Sequence, residues 1–223
     1  MMVTCIVQAL VSLLLFSSIG ITSGCRCATP HPQEAYCSSS FVILCKVMSQ
    51  VKTGNPDDIN DGYKIFTVKV LEDYKDLGWT GMTKEIYTAP HGGACGAFLD
   101  NDKKNILSGT FYKGTHAEPF PGEGVPYISL CGYNPELSTV PKAVLKGFKK
   151  LYKQHCECQI CSSDCKLGNC YLPYNSKGPG WCYRDAVCQL AWKDSEGNAM
   201  CMWNLPKQWW KCVSYYPKRP RED

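Results

Sequence analysis

Phe41-Val42-Ile43-Leu44-Cys45-Lys46-Val47 is nearly continuous in apolar residues. A run this short, followed by a polar stretch, reads as a buried strand. Side chains alternate along a strand, so Phe41, Ile43, Cys45 and Val47 share one face and Cys45 is expected as a buried thiol. Ser49 to Asp61, with Gly54, Pro56 and three aspartates, reads as a loop. Tyr63 to Leu71 is a second strand, with Phe66, Val68 and Val70 facing one way and Ile65, Thr67 and Lys69 the other. Lys84 to Thr88 gives a third strand, then a loop runs from Ala89 through Gly92-Gly93-Ala94 to Cys95. Ile106 to Tyr112 and Val125 to Leu130 are further strands. Beyond them the period changes. Val144, Phe148, Leu151 and His155 recur at helical spacing, with Lys142, Lys146, Lys149, Lys150 and Lys153 around the rest. Ser138 or Thr139 is placed to cap this helix, and Pro141 suits its first turn. Five or more short strands followed by a helix point to a small closed barrel such as an OB-fold.

From Cys156 onward the composition shifts. Nine cysteines lie between Cys156 and Cys212, with Trp181, Trp192, Trp203, Trp209 and Trp210 among them. Periodicity is poor there, so a small module held by disulfides is expected, with the tryptophans filling what core it has. Trp209-Trp210, if exposed, would instead mark a contact surface.

Upstream of the first strand, Met1 to Gly24 carries no charge, runs through Leu13-Leu14-Leu15-Phe16 and ends in Thr22-Ser23-Gly24. That reads as a secretory signal peptide lacking the usual positive start. A membrane anchor is the alternative, disfavoured by a short apolar core that carries serines. Sixteen cysteines behind a secretory leader read as a disulfide framework; losing Cys5 with the leader leaves fifteen, so at least one is free or pairs with another chain. The net charge of +4 fits retention on acidic matrix polysaccharide. There is no Asn-x-Ser/Thr sequon.

If the leader is cut before Cys25, the mature chain starts Cys25-Arg26-Cys27-Ala28-Thr29-Pro30-His31-Pro32-Gln33. In an extended segment Cys25 and Cys27 point to one face and Arg26 to the other. Two bridges on one dipeptide leave little entropy to lose on binding, which makes a rigid recognition edge. The prolines keep this start extended, and Pro32 to Cys37 can form a short helical turn.

Few constellations suggest chemistry. Cys156-x-Cys158-x2-Cys161-x3-Cys165 has zinc-ligand spacing, but in an oxidising compartment the same spacing gives disulfides. The sequence contains no His-Glu-x-x-His, Gly-x-Ser-x-Gly or phosphate-cradling glycine loop, and His31, His91, His116 and His155 are scattered. The lysine-rich helix reads as a solvated amphipathic face before it reads as a heparin site. A thiol enzyme using Cys45 is a further reading, separable by thiol titration of the native protein.

The residues resemble the tissue inhibitor of metalloproteinases (TIMP) family, whose mature start is Cys-x-Cys-x-Pro-Pro-His-Pro-Gln with a cysteine four residues on, here Cys37. Phe41-Val42-Ile43, Tyr87-Thr88-Ala89-Pro90 running into Cys95-Gly96-Ala97-Phe98, Gly147-Phe148 and Cys156-Glu157-Cys158 extend the likeness along the mature chain. The resemblance implies a mainly β protein with helices: an N-terminal netrin-like OB-fold barrel over 25–156, then a small disulfide-rich C-terminal domain over 157–216. Residues 1–24 would be the signal peptide and 217–223 a flexible tail. Carried over by order, it implies bridges Cys25–Cys95, Cys27–Cys131, Cys37–Cys156, Cys158–Cys201, Cys161–Cys165 and Cys170–Cys188. Pairing Cys182 with Cys212 and leaving Cys45 reduced settles the odd count.

The function implied is a secreted, extracellular, monomeric inhibitor, not an enzyme, with matrix metalloproteases or related zinc endopeptidases as partners. Neither nucleic acid nor a membrane span is expected. The amino nitrogen and carbonyl oxygen of Cys25 would chelate the catalytic zinc of the target; the protein would have no cofactor of its own. Arg26 would enter the primary specificity pocket, with Cys27, Ala28, Thr29 and Gly92-Gly93-Ala94 lining the rest of the cleft. Two residues depart from the family pattern: Arg26 stands where Thr or Ser is usual, and Thr29 where proline is. A long cation in an apolar pocket must keep its charge solvated or paired. Arg26 therefore predicts a narrowed target range or weak inhibition, and it supports the rival reading of a non-inhibitory secreted module that engages a receptor or matrix.

Overall fold

The computed structural model describes residues 24–113, 124–163, 165–173, 182–207 and 209–214. The leader before Gly24, Trp181, His116 and the tail 217–223 lie outside the described residues.

The apolar run around Phe41 opens β1 (Phe41–Lys52), the backbone of the fold. It pairs with β2 (Lys64–Asp73) on one side and β4 (Lys104–Phe111) on the other, both antiparallel. β3 (Thr83–Thr88) pairs antiparallel with β2, and β5 (Pro126–Tyr127) closes the sheet between β3 and β4. The order β1-β2-β3-β5-β4 forms a closed barrel, with the β3–β5 contact parallel at Tyr87 and Tyr127. This is an OB-fold barrel. Register shifts at Leu44/Cys45 and Val47/Ser49 bend the long β1 around it.

The near-continuous apolar character of β1 has a structural reason: both its faces are covered. Phe41, Ile43, Cys45 and Val47 point into the barrel with Phe66, Val68, Val70, Ile86 and Leu107. Val42 and Leu44 point outward into a second cluster with Tyr36, Phe148 and Tyr152. That second layer comes from α1 (Pro32–Ser38) and the helical segment after Pro141.

The segment begins as α2 (Lys142–Lys146), widens to a π turn at Gly147–Leu151 and tightens to a 3-10 turn at Tyr152–His155. A Cβ on Gly147 would lie 2.2 Å from Cζ of Tyr152, so glycine lets the ring fold back over its own helix. Neither Ser138 nor Thr139 caps α2. Both hydroxyls donate instead to Glu136, in the separate turn Leu137–Thr139, and Pro141 takes the cap position without a side-chain bond. Two of the lysines pair across to β2 and its following turn, Lys149 with Glu72 and Lys153 with Asp76. Such exposed pairs contribute little, and this face reads as solvated.

Two strand boundaries differ from expectation. Ser49–Lys52 are strand rather than loop, because they pair with Lys64–Thr67 in a ribbon projecting past the barrel. Ser49–Lys52 themselves are exposed on both faces, so this half of the ribbon has no need of apolar residues. β5 is shorter than Val125–Leu130, since only Pro126 and Tyr127 find partners on β3 and β4.

Among the described residues beyond Cys156 lie two two-stranded sheets: β6 (Ile160–Cys161) with β7 (Cys170–Tyr171), parallel, and β8 (Val187–Lys193) with β9 (Ala199–Asn204), antiparallel. A short α3 (Trp209–Ser214) follows. The buried cluster here is Cys158, Cys170 and Cys188, with Ile160, Leu190, Cys201 and Trp203 packed against it. Of the tryptophans, Trp203 packs against this cluster, but Trp192 and Trp210 fill no core and are 57% and 61% exposed. Disulfide sulfur supplies the buried volume instead. Among the described residues no helix is long and apolar enough to cross a membrane.

Candidate functional site

The described chain enters as an extended segment, Gly24 to Pro30, with no secondary structure of its own. Covalent bonds and one backbone contact define its course. Cys25 is bridged to Cys95 and Cys27 to Cys131, closing loops of 70 and 104 residues of sequence separation. The two bridges lie side by side, with Cys25 Sγ 3.6 Å from Cys131 Sγ. The Cys25 N–H donates to the Gly93 carbonyl at 3.1 Å.

Gly93 sits in a 3-10 turn, Gly92–Ala94, which ends on Cys95 in the left-handed region at φ 66°. The N–H groups of Ala94 and Gly96 both donate to the His91 carbonyl, and Leu130 N–H donates to the Cys95 carbonyl at 2.8 Å. Thr88, fully buried at the end of β3, accepts the Ala97 N–H on its hydroxyl at 2.8 Å. His91 Nε2 meets Asn60 Oδ1 at 2.9 Å, tying the β1–β2 loop to the same turn.

The structure thus brings Cys25, Arg26 and Cys27 together with Gly92, Gly93 and Ala94 along one edge of the barrel. Arg26, Cys27, Ala28, Thr29, Gly93 and Ala94 are exposed, and Cys25 and Gly92 are half-buried. A groove of about 330 Å³ continues from Pro30 along α1, past Glu34 and Ser38 to Cys131.

The same start is gripped from the other side by residues that the sequence alone did not single out as a clamp. His31 caps α1: its Nδ1 accepts the Gln33 N–H, so Nε2 carries the proton and donates to the Tyr183 carbonyl at 3.1 Å. Its ring lies 5.3 Å from that of Trp203. Desolvation pushes the imidazole down to about 4. Gln33 exchanges a pair of bonds with Cys188 in β8, donating to its carbonyl at 2.7 Å and accepting its N–H at 2.8 Å, and also donates to the His155 carbonyl. The bridge Cys37–Cys156 completes the grip. Nothing in a single sequence marks Gln33 for this, because its partners are backbone groups more than a hundred residues away.

The remaining bridges are Cys158–Cys201, Cys161–Cys165 and Cys170–Cys188, as the resemblance implies, and Cys182–Cys212, which leaves Cys45 as a buried thiol as the odd count suggested. The sulfurs of Cys25, Cys27 and Cys131 cluster within 4.8 Å, as do those of Cys158, Cys188 and Cys201. All six are spent in disulfides, and zinc takes thiolates. Cys45 is fully enclosed, and burial pushes its thiol up to about 12. A group so placed is an inert core residue rather than a nucleophile.

A sequence model of the tissue inhibitor of metalloproteinase family matches residues 23–208. The chain belongs to that family. It is 30% identical over 173 residues to human metalloproteinase inhibitor 2, covering 74% of this chain and 71% of the relative. The dog metalloproteinase inhibitor 2 is 31% identical over 172 residues, with the same coverage. Metalloproteinase inhibitor 3 of Xenopus laevis is 30% identical over 140 residues, 61% of this chain and 58% of the relative. These relatives are named as inhibitors, not as enzymes. The family match begins two residues before Cys25, so the exposed edge lies at the head of the matched region.

Proposed function

We propose that this member of the family is a secreted inhibitor of zinc metalloproteinases that works by presenting the edge at Cys25 to the catalytic zinc of its target. In this reading residues 25–156 are the inhibitory domain and 157–216 a second domain locked to it. The observation that carries the reading is the double bridging of Cys25 and Cys27 beside the exposed turn Gly92–Ala94. An edge already fixed in two places loses little further entropy on docking.

While residues precede Cys25, its nitrogen is an amide and a poor metal ligand. Removal of the leader before Cys25 turns it into an α-amine with a pKa of about 8, so that the neutral form is accessible at physiological pH and metal binding favours it. The amine nitrogen and the carbonyl oxygen of Cys25 are then adjacent donors of types that zinc accepts. Arg26 becomes the first side chain beside the metal. Its exposed cation suits target pockets that are deep enough to leave it solvated or that carry a carboxylate.

The test compares two refolded forms against a panel of matrix metalloproteases, one beginning at Cys25 and one with a single extra alanine before it. The first should inhibit and the second should lose most of its inhibition, because the added residue turns the ligating amine into an amide. Equal inhibition by both would refute the chelating edge. Inhibition by neither, with all seven bridges formed, would favour a receptor- or matrix-binding module, the reading that Arg26 supports.

A further inference from the structure

Phe98 is 64% exposed, more than any other large apolar side chain among the described residues before Cys156. Single exposed apolar residues are ordinary on protein surfaces, so exposure alone assigns it nothing. Three further observations do. The first is that its outward direction is fixed. Ala97 and Leu99 on either side are 2% and 5% exposed and packed in the barrel core, so the chain is held on both sides of Phe98 while its ring stays outside.

The second is that its ring is seated. A Cβ on Gly92 would come within 2.9 Å of ring atoms Cε2 and Cζ, so the ring lies directly over the Gly92 backbone. Lys64 Nζ stands 5.1 Å from the ring centroid, within the range of a cation–π contact. An aromatic ring already in contact with two neighbours forfeits little side-chain entropy when a partner covers it.

The third is continuity. Gly92 opens the turn in which Gly93 accepts the Cys25 N–H. Direct contacts therefore run from Phe98 through Gly92 and Gly93 to Cys25, and the ring and the edge belong to one surface.

We infer that Phe98, in contact with Gly92 and Lys64, is a second anchor for the target metalloproteinase, docking on an apolar patch at the rim of the cleft whose zinc Cys25 engages. This rests on the proposed inhibitory edge and adds to it a residue outside the edge. The partner patch is apolar where it meets the ring, with a carboxylate beside it to match Lys64. Aromatic residues are enriched in such interface positions, and a few of them carry most of the binding energy. The contact acts after encounter, so its loss speeds dissociation more than it slows association.

Phe98→Ser and Phe98→Leu, both in the form beginning at Cys25, test this against a metalloprotease that the wild type inhibits. Phe98→Ser should weaken inhibition by roughly tenfold or more through faster dissociation, and Phe98→Leu by less. The melting temperature should stay put, since the side chain is outside the core. The extra-alanine form of the wild type, measured alongside, keeps the two ideas apart. If that form inhibits as well as the wild type, the chelating edge falls and this anchor with it. If it does not, and Phe98→Ser inhibits within twofold of wild type, the anchor alone is overturned.

Discussion

Up to Tyr152 the chain buries its apolar side chains in two clusters, one inside the barrel and one between β1 and the helical layer, the latter also taking in Val187 from β8. Beyond Cys156 the buried cluster is three half-cystines with a few partly buried neighbours, while Trp192, Met202 and Trp210 remain exposed. Both regions hold a definite shape, by different means. The barrel removes apolar area from water; the second region restricts its unfolded state with cross-links. The edge at Cys25 draws on both, with covalent anchors set into a hydrophobic scaffold.

The contrast can be broken most forcefully in the barrel. Phe66 is completely buried at the centre of the inner cluster. Phe66→Ala should cost up to about 5 kcal/mol, from lost transfer energy and the cavity left behind. Trp192→Ala in β8, a larger truncation of a side chain that is 57% exposed, should stay within about 0.5 kcal/mol. Denaturant midpoints of the two variants measure the difference, and similar shifts would mean that the second region has a core after all.

Cross-links give the converse. Replacing Cys158 and Cys201 together with serine opens a loop of 43 residues of separation that joins the start of the region to β9. The chain-entropy treatment puts such a closure at about 4 kcal/mol. That loss should appear as fast amide exchange in β6 to β9, with β1 to β4 still protected. Loss of protection in the barrel as well would show that the two regions unfold as one unit.

These differences also decide what was legible beforehand. The barrel could be read because β1 and β2 carry their burial in their own alternation: Phe41, Ile43, Cys45 and Val47 face inward as their spacing requires. The edge could be read because two cysteines one residue apart constrain geometry wherever their partners lie. The exposed ribbon Ser49–Lys52 was not legible, since a strand with no buried face has no period to detect. Nor was the widening of the helix at Gly147, which depends on the Tyr152 ring lying across it. In the second region Trp192 and Trp210 misled while Trp203 did not, because hydrophobicity predicts burial only where there is a core to enter. Phe98 escaped notice for a related reason: in a loop its identity says nothing about which way it points.

The junction between the two regions offers the finest test, at His31. The neutral ring accepts the Gln33 N–H on Nδ1 and donates from Nε2 to the Tyr183 carbonyl, so a second proton would remove the cap on α1. Burial lowers its pKa from the ordinary 6.5 to about 4. The unfolded chain therefore binds the proton first as pH falls. The stability linked to His31 is complete above about pH 6.5, declines on acidification and is gone below about pH 4. Its size is on the order of 3 kcal/mol. Carboxylates titrate in the lower part of the same window, so the wild type alone cannot isolate the effect. His31→Asn keeps a side-chain oxygen to cap α1 but has no proton to gain. Its stability should lie below that of wild type at neutral pH, with the gap closing as the pH is taken from 7 to 4. Parallel curves for the two proteins would mean that the junction opens to solvent before His31 charges, and that the two regions are less tightly joined than their shared hydrogen bonds suggest.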